Sequence, residues 1–588
     1  MTNDKKILFK QMKQILSETK VKRWKDISAV LESVKRDSPE IEAFTDKEFL
    51  NSLHNGIAFM TYDFGIDGVS IEISKYAHCM EKIFTDAHTT PPVLHFISGD
   101  FHDKADSVLK PYWNRFHIRE MNGWAKWHDG KWFSKLFYED IPEGSKVSSD
   151  LAVEMWSQIV SFAEELGSYV VDKNIALLFP VNIFSNPGNF AIAIATILVS
   201  ESLGMYVLNS NHDFYWEGGK PISERNPGEK AGVRDHFFRN IKNRAFFSLF
   251  KTLYPWNGKQ WIQVNINHKQ SRYLITHYGF PENRVFDLST FISDEFLREY
   301  IKQDVVSSRR RMTYILSDGK SKISPIPVSK HVENLTNWMK EQKPTVCGFR
   351  EGLELDLTSK KIIYCLQPTR VIARKRIEKD LHLFSALMNY PDFRVKFESN
   401  KDLQLVLHIT GPVPIEHQAD LETVLGAYTD LCSALPKDIS DRIFIAFSVG
   451  TEKHPSFKVN GLKRMHIEDI YRLATVVLFP SETEGRGLPI IESSACGIPI
   501  ICSRYYPEEV FANVIGKNLS EDKQIKYIPF PENDFSHDFL GKVTKLMFGE
   551  NEEELKKHNR EAVRMRYGTE VLAETFYELL KTLKKSKN

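Results

Sequence analysis

Cysteine is scarce and shows no pairing pattern. Six residues, Cys79, Cys347, Cys365, Cys432, Cys496 and Cys502, are spread over 588 positions with no C-x-x-C pair and no zinc-ligand spacing. That excludes a disulfide framework and a zinc ribbon, and the thiols read as buried groups in a reducing cytoplasm. Net charge is almost absent. The 78 Lys and Arg residues against 77 Asp and Glu leave +1, which argues against a general nucleic-acid binder. No stretch reaches 18 uncharged apolar residues, so no membrane-spanning helix is expected. The opening MTNDKKILFKQMKQ lacks the apolar core of a secretory leader, and a cytoplasmic location is expected. No internal repeat is visible. No D-x-D pair stands at a strand end, no Ser-His-Asp arrangement emerges, and no metal site is implied.

What is present is an alternation of buried-strand and helix patterns, the mark of an α/β protein. A content of 42% hydrophobic and 26% charged residues is that of a soluble globular chain. At about 150 residues per domain the length allows about four domains, and two large α/β domains with insertions fit as well. Residues 1–55 are charged and helix-like, with apolar positions at Ile27, Val30, Leu31 and Val34. GIAFMTY, PVLHFISGD, NIALLFP, MYVLNSN, WIQVNIN and NRVFDLS read as strands of a first domain, 1–305. Residues 101–150 break the rhythm. Trp113, Trp124, Trp127 and Trp132 gather there, and Asp129-Gly130 predicts a hairpin turn between GWAKWH and KWFSKLFY. That aromatic insertion reads either as a platform on which a ligand ring could stack or as a hairpin packed on the body. Residues 217–260 suit a long loop with a helix near Phe237–Leu253, and 306–360 a linker with an insertion. A second domain, 361–565, carries KKIIYCLQ, LQLVLHITGP, DRIFIAFSVG and ATVVLFP as strands. The tail, 566–588, is an amphipathic helix with a basic end. It leaves room for peripheral contact with anionic lipid, although such a run is usually a solvated face.

The densest chemical signal is SETEGRGLPIIESSACGIPIIC, residues 481–502, directly after the apolar strand ATVVLFP. A strand, a turn with two glycines and a helix N-terminus form the phosphate-binding arrangement of open α/β sheets. Pro489 suits a first helical turn, where its missing N–H costs nothing. Glu484 stands at the mouth of the turn, where it can face a sugar. Glu492 lies two turns down the helix, where it can face a ribose. The structural alternative is an ordinary strand-turn-helix with two solvated glutamates.

The ordered run E-G-x-G-L-P-x-x-E followed by A-x-G-x-P-I resembles the signature of family 4 glycosyltransferases, retaining enzymes of the GT-B fold. A second segment, LQPTRVIARKRIE (366–378), matches the family's strand, Arg, four residues, Lys, helix pattern at Arg370 and Lys375. Arg376 stands where the family usually has Gly. Cations suit this place because the nucleoside diphosphate leaving group gains charge as the glycosidic bond breaks.

The resemblance implies two Rossmann-like domains facing across a cleft, with a C-terminal helix crossing back to the first. It implies transfer of a hexose, mannose or glucose, from a nucleoside-diphosphate sugar such as GDP-mannose or UDP-glucose to a small glycoside or glycan. No resident cofactor is expected. Glu484, His212, Arg370 and Lys375 would be the catalytic set, with His212 of NHDFYWE near the transferred sugar. Glu492, Gly485, Arg486, Gly487 and Leu488 would bind the donor, joined by Gly65 and Gly68 of DFGIDGVS, where the spacing departs from the family's usual Gly-Gly. The mannosylglucosylglycerate synthase branch is similar in both QPTRVIARKRIE and NHDFYWE. The alternatives are a lipid-linked or polysaccharide acceptor, and a non-catalytic partner that binds a glycan. A homo-oligomer is left open. Pyridoxal phosphate, as in sugar phosphorylases, has no support in the sequence.

Overall fold

The apolar runs become parallel strands covered on both faces, and in the computed structural model they gather into two α/β units. The first is Met1–Ser289 with Leu572–Asn588, the second Thr290–Val571. The structure describes residues 2–39, 46–65, 67–86, 90–102, 105–123, 131–217, 243–288, 290–358, 361–413, 417–448, 454–550 and 553–585.

The first unit carries β1 (Ile57–Met60), β2 (Leu94–Ser98), β3 (Asn114–His117), β4 (Leu177–Pro180), β5 (Tyr206–Asn211), β6 (Trp261–Asn265) and β7 (Val285–Asp287). They form one sheet in the order β3-β2-β1-β4-β5-β6-β7, with every neighbouring pair parallel. Order reverses between β1 and β4, the doubly wound pattern. All positions of β1 and β4 are buried, which is why these strands read as continuous apolar runs. The main flanking helices are α1 (Trp24–Arg36), α2 (Gly68–Asp86), α3 (Lys146–Asp172), α4 (Phe190–Ser202) and α5 (His268–Tyr278). The N-terminal extension is part of this core. Trp24, Ile27, Leu31 and Val34 of α1 are buried, and Trp24 Nε1 donates to Ser148 Oγ at 3.2 Å.

The second unit carries β8 (Ile326–Pro327), β9 (Thr345–Gly348), β10 (Ile362–Gln367), β11 (Gln404–Ile409), β12 (Ile443–Phe447), β13 (Val476–Phe479), β14 (Ile500–Cys502) and β15 (Ile528–Pro529). Their order is β8-β9-β12-β11-β10-β13-β14-β15. From β12 to β15 the sheet is parallel and doubly wound again, while β9 runs antiparallel to β12. Here order reverses between β10 and β13. The helices that serve the site are α6 (Glu378–Asn389), α7 (Gln418–Ser433) and α8 (Leu488–Ala495). The last helix, α9 (Thr569–Lys585), returns to the first unit: Phe576 meets Tyr76 and Phe179 edge-on at 5.4 and 5.9 Å. Two Rossmann-like units with a C-terminal helix that crosses back are the expected fold class. No helix among the described residues is long and apolar enough to cross a membrane. All six cysteines are buried free thiols.

Three segments differ from their sequence reading. The half-hairpin KWFSKLFY is helical over residues 131–138, because burying Trp132, Leu136 and Phe137 on one face suits a helical period. The proposed turn, with Trp124 and Trp127, lies outside the described residues, while Trp113 and Trp132 are core residues, not an exposed sugar platform. The strand β3 escaped the sequence because it is an edge strand with exposed and half-buried positions only. Residues 306–360, read as linker and insertion, lie within the second unit. There Arg311 of the helix Lys302–Leu316 donates to the Arg464 carbonyl at 2.7 Å and to Asp469 at 3.1 Å, and β9 extends the sheet. Of the helix placed near Phe237–Leu253, Arg244–Leu253 is helical and residues 237–242 lie outside the described residues.

Candidate functional site

In an open α/β sheet, ligands bind beyond the strand C-termini where the order reverses. In the second unit that point is the pair of loops following β10 and β13, residues 368–377 and 480–487. Arg370 and Lys375 lie on the first loop and Glu484 on the second. The loops are laced together residue by residue. Glu482 N–H donates to the Arg374 carbonyl at 2.9 Å, and Arg374 Nη1 donates to the Thr483 carbonyl. Lys375 Nζ donates to Glu484 Oε1, and Arg376 Nη1 to Glu482 Oε1. A third loop locks the second: Tyr506 N–H donates to the Glu482 carbonyl at 2.7 Å and Glu484 N–H to the Tyr506 carbonyl at 3.0 Å.

The Lys375–Glu484 pair is nearly dry, with side-chain exposures of 8% and 10%. Burial holds the Lys375 ammonium below its ordinary range, while the Glu484 carboxylate pulls it back up. Arg374 Nη1 lies 3.8 Å from the other Glu484 oxygen. Arg370 is exposed, makes no hydrogen bond or ion pair among the described residues, and repels the Lys375 charge. A guanidinium held without a protein counter-ion beside a buried ammonium is an anion-binding arrangement.

Arg376 occupies a left-handed conformation, φ 51° and ψ 40°, which explains why glycine is usual at this place. Its guanidinium turns to Glu378, at 2.6 Å, and to Glu482, so its charge is already partnered. Beneath the loop, Gln367 at the end of β10 receives the Thr369 hydroxyl at 3.1 Å and donates to Asp380 at 2.9 Å. Complete burial pushes the Asp380 carboxyl far above the usual carboxylate range. Sequence reasoning missed this support, because a buried Asp in a first helical turn looks like an exposed, dipole-favoured one.

The second loop ends on Gly487 at φ 65°, the cap residue of α8, where a Cβ would fall 2.2 Å from the Tyr505 hydroxyl. Only glycine fits. Leu488 and Pro489 then open α8, and Gly485 and Arg486 complete the turn. One side of Glu492 is held by Tyr471, whose hydroxyl donates to Oε2 at 2.6 Å. Burial keeps that phenol well above its ordinary range, so it is a permanent donor. Tyr471 is a second residue the sequence did not announce.

The remaining candidates belong to the first unit. His212 follows β5 and is buried, and its carbonyl receives Gln270 Nε2 at 3.0 Å. Gln270 also reaches Glu217 at 2.9 Å, and Glu217 accepts the Phe214 N–H at 2.8 Å, so the His212–Glu217 turn is clamped. Gly65 and Gly68 flank the start of α2. Neither has a positive φ, and Asp67 already accepts the Val69 and Ser70 N–H groups at 2.8 and 3.0 Å. A short parallel pair, Asp63–Phe64 with Asp100–Phe101, brings Asp63, Asp100 and His102 together with one potential ligand atom each within 4.8 Å. That proximity was not visible in the sequence, and nothing further marks it as a site.

Residues 452–526 match the family described as Glycosyl transferases group 1. The match includes Glu484, the 485–488 turn and Glu492. No curated protein matches the chain. Among solved structures, a glycosyltransferase from Rickettsia africae is similar with 11% identity, a TM-score of 0.49, and coverage of 90% of this chain and 98% of that one. Anabaena HepE, solved with UDP and glucose, has 9% identity and a TM-score of 0.47, covering 90% and 99%. Sucrose-phosphate synthase from Thermosynechococcus elongatus has 11% identity and a TM-score of 0.46, covering 90% and 100%. The second unit thus carries, on the loop and helix that follow β13, a segment matching a group 1 glycosyl transferase.

Proposed function

We propose that the protein is a retaining glycosyltransferase that moves a hexose from a nucleoside-diphosphate sugar to a hydroxyl of a small glycoside or glycan. The observation that carries this reading is the meeting of a cationic loop and a carboxylate loop where the second sheet reverses its strand order, within reach of the segment that matches a glycosyl transferase family. Arg370 and Lys375 take the diphosphate, where negative charge grows as the bond to the anomeric carbon breaks. Glu484 accepts hydrogen bonds from the sugar hydroxyls. The N-terminal end of α8, opened by Leu488 and Pro489, adds partial positive charge. Glu492, fixed by Tyr471, accepts the ribose hydroxyls. His212 is assigned to the transferred sugar.

The acceptor oxygen bonds to the anomeric carbon on the face the diphosphate leaves, and the departing phosphate oxygen takes the acceptor's proton. Glu484 is engaged by Lys375, which suits a hydrogen-bond acceptor better than a nucleophile. The test is Arg370→Ala. The side chain is exposed, so folding should be untouched, while calorimetric binding of UDP and GDP weakens about 10- to 100-fold, the loss of one charged contact. Near-normal binding and turnover would sink the assignment.

A further inference from the structure

A cavity of about 400 Å³ opens beside the 371–377 loop, within the second unit. Lys375 and Glu484 do not line it, so it is separate from the pair proposed to hold the donor. Its size is that of ordinary small-molecule sites, about 300–1,000 Å³. The apolar part of the wall is Val371, Ile372, Ala373, Ile377 and Val424. The charged part is Arg374, Arg376, Glu378, Asp420 and Glu482, three carboxylates against two guanidiniums.

Each of these charges already has a partner, within the wall or just outside it. Arg376 joins Glu378 and Glu482, and Asp420 Oδ2 accepts the Ala373 N–H at 2.9 Å and pairs with His417 Nδ1 at 2.7 Å. Arg376 spends Nε and Nη1 on these pairs, and each carboxylate has further lone pairs to offer. A phosphate would meet a carboxylate excess. A nucleobase would find no aromatic face among the lining residues. A purely apolar ligand would strip water from five charged groups. A sugar ring fits all of it: vicinal hydroxyls answer carboxylate and guanidinium pairs, and the C–H face lies on Val and Ile.

We infer that this cavity is a second sugar site, walled by the outer side of the donor loop and separate from the Lys375–Glu484 pair. Arg374 lines it and also lies 3.8 Å from Glu484, so one guanidinium borders both the cavity and the proposed donor pair. The ligand class is a neutral pyranose, supplied either by the acceptor or by an effector sugar.

The test uses the full chain and saturation-transfer NMR with methyl α-D-glucopyranoside and methyl α-D-mannopyranoside. At least one glycoside should show transfer, and the signal should persist under saturating UDP. Thr423→Trp, at an exposed position of α7, puts an indole in the cavity wall and should cut the signal at least five-fold while UDP binding is unchanged. Asp420→Asn keeps an oxygen for the Ala373 N–H and should weaken the signal a few-fold. No glycoside signal, full signal in Thr423→Trp, or displacement by UDP each overturns the inference. A normal glycoside response with no nucleotide binding would sink the donor-loop reading and leave this one standing. In turnover, Thr423→Trp raising the acceptor KM at constant donor hydrolysis identifies the acceptor as the source. A changed hydrolysis rate at constant KM identifies an effector.

Discussion

The Lys375–Glu484 pair makes opposite predictions for its two members. Lys375→Met leaves a carboxylate that is 10% exposed with, among the described residues, only Arg374, 3.8 Å away and itself 42% exposed, as a counter-charge. Breaking a buried pair from one side costs about 3–5 kcal/mol, and the residual Arg374 contact places this case near 3 kcal/mol. Under the proposed function the same change also removes a charged contact to the diphosphate worth about 1.5–3 kcal/mol, or about 10- to 150-fold in UDP or GDP affinity. Glu484→Gln acts the other way on product binding. It keeps the shape and a hydrogen-bond acceptor, frees the ammonium and removes a repelling carboxylate. Nucleoside diphosphate should bind at least as tightly as to the parent protein, while transfer falls about 100-fold or more, since the sugar hydroxyls lose a charged acceptor held in a dry site. Calorimetry with UDP and GDP, urea unfolding and a transfer assay on the four members of the double-mutant cycle measure all of this. A stability coupling of about 1–3 kcal/mol between the positions is expected. If Glu484→Gln loses diphosphate binding as steeply as Lys375→Met, or the coupling is below about 0.5 kcal/mol, the competition between carboxylate and diphosphate for Lys375 is refuted.

Tyr471→Phe removes the 2.6 Å donor to Glu492 and should shrink the affinity gap between UDP and 2′-deoxy-UDP at least three-fold, as read by calorimetry. An unchanged gap separates Glu492 from the ribose. Gly487→Ala forces a side chain into φ 65° beside the Tyr505 hydroxyl and should lower unfolding stability by at least about 1 kcal/mol; adding Tyr505→Phe should recover part of it. His408 is buried between Tyr364 and Ser448, and burial lowers its pKa to about 3. The unfolded chain takes up that proton near pH 6.5 and the native protein does not, so stability falls with acidification between these values, by up to about 1.4 kcal/mol per pH unit. Urea titrations at pH 7 and pH 5 should show a shallower loss in His408→Gln, and an equal loss would place the acid sensitivity elsewhere.

The central strands were legible because they are buried on both faces and therefore read as apolar runs: VVLF of β13 and IIYCLQ of β10 are the plainest. The turn at Gly487 was legible for a backbone reason, since a left-handed residue wedged under Tyr505 admits no other side chain. Illegible were the features that depend on pairing across the chain. Nothing local in β3 says strand, because it is an exposed edge, and nothing local in KWFSKLFY says helix, because the burial of Trp132 and Phe137 is decided by their neighbours in space. The same holds in the site. Tyr471, Asp380 and Glu482 act through partners 13 to 106 positions away, at Glu492, Gln367 and Arg376.

Arg376 is where the two kinds of information meet. From the sequence it stands in place of a glycine as an added cation, suited to a phosphate. In the structure it takes the glycine's backbone conformation and gives its charge to Glu378 and Glu482. The loop therefore carries Arg370, Arg374, Lys375 and Arg376 against Glu378, Glu482 and Glu484, and only Arg370 is without an ion pair among the described residues. Under the proposed function this balance matters for turnover. A loop with four free cations would hold the diphosphate product as tightly as the transition state and gain nothing in rate. With Lys375 shared between Glu484 and the leaving group, its full charge is drawn to the phosphate only as negative charge accumulates there. The stabilisation is then largest where the bond is breaking, and the product leaves as Glu484 reclaims the ammonium.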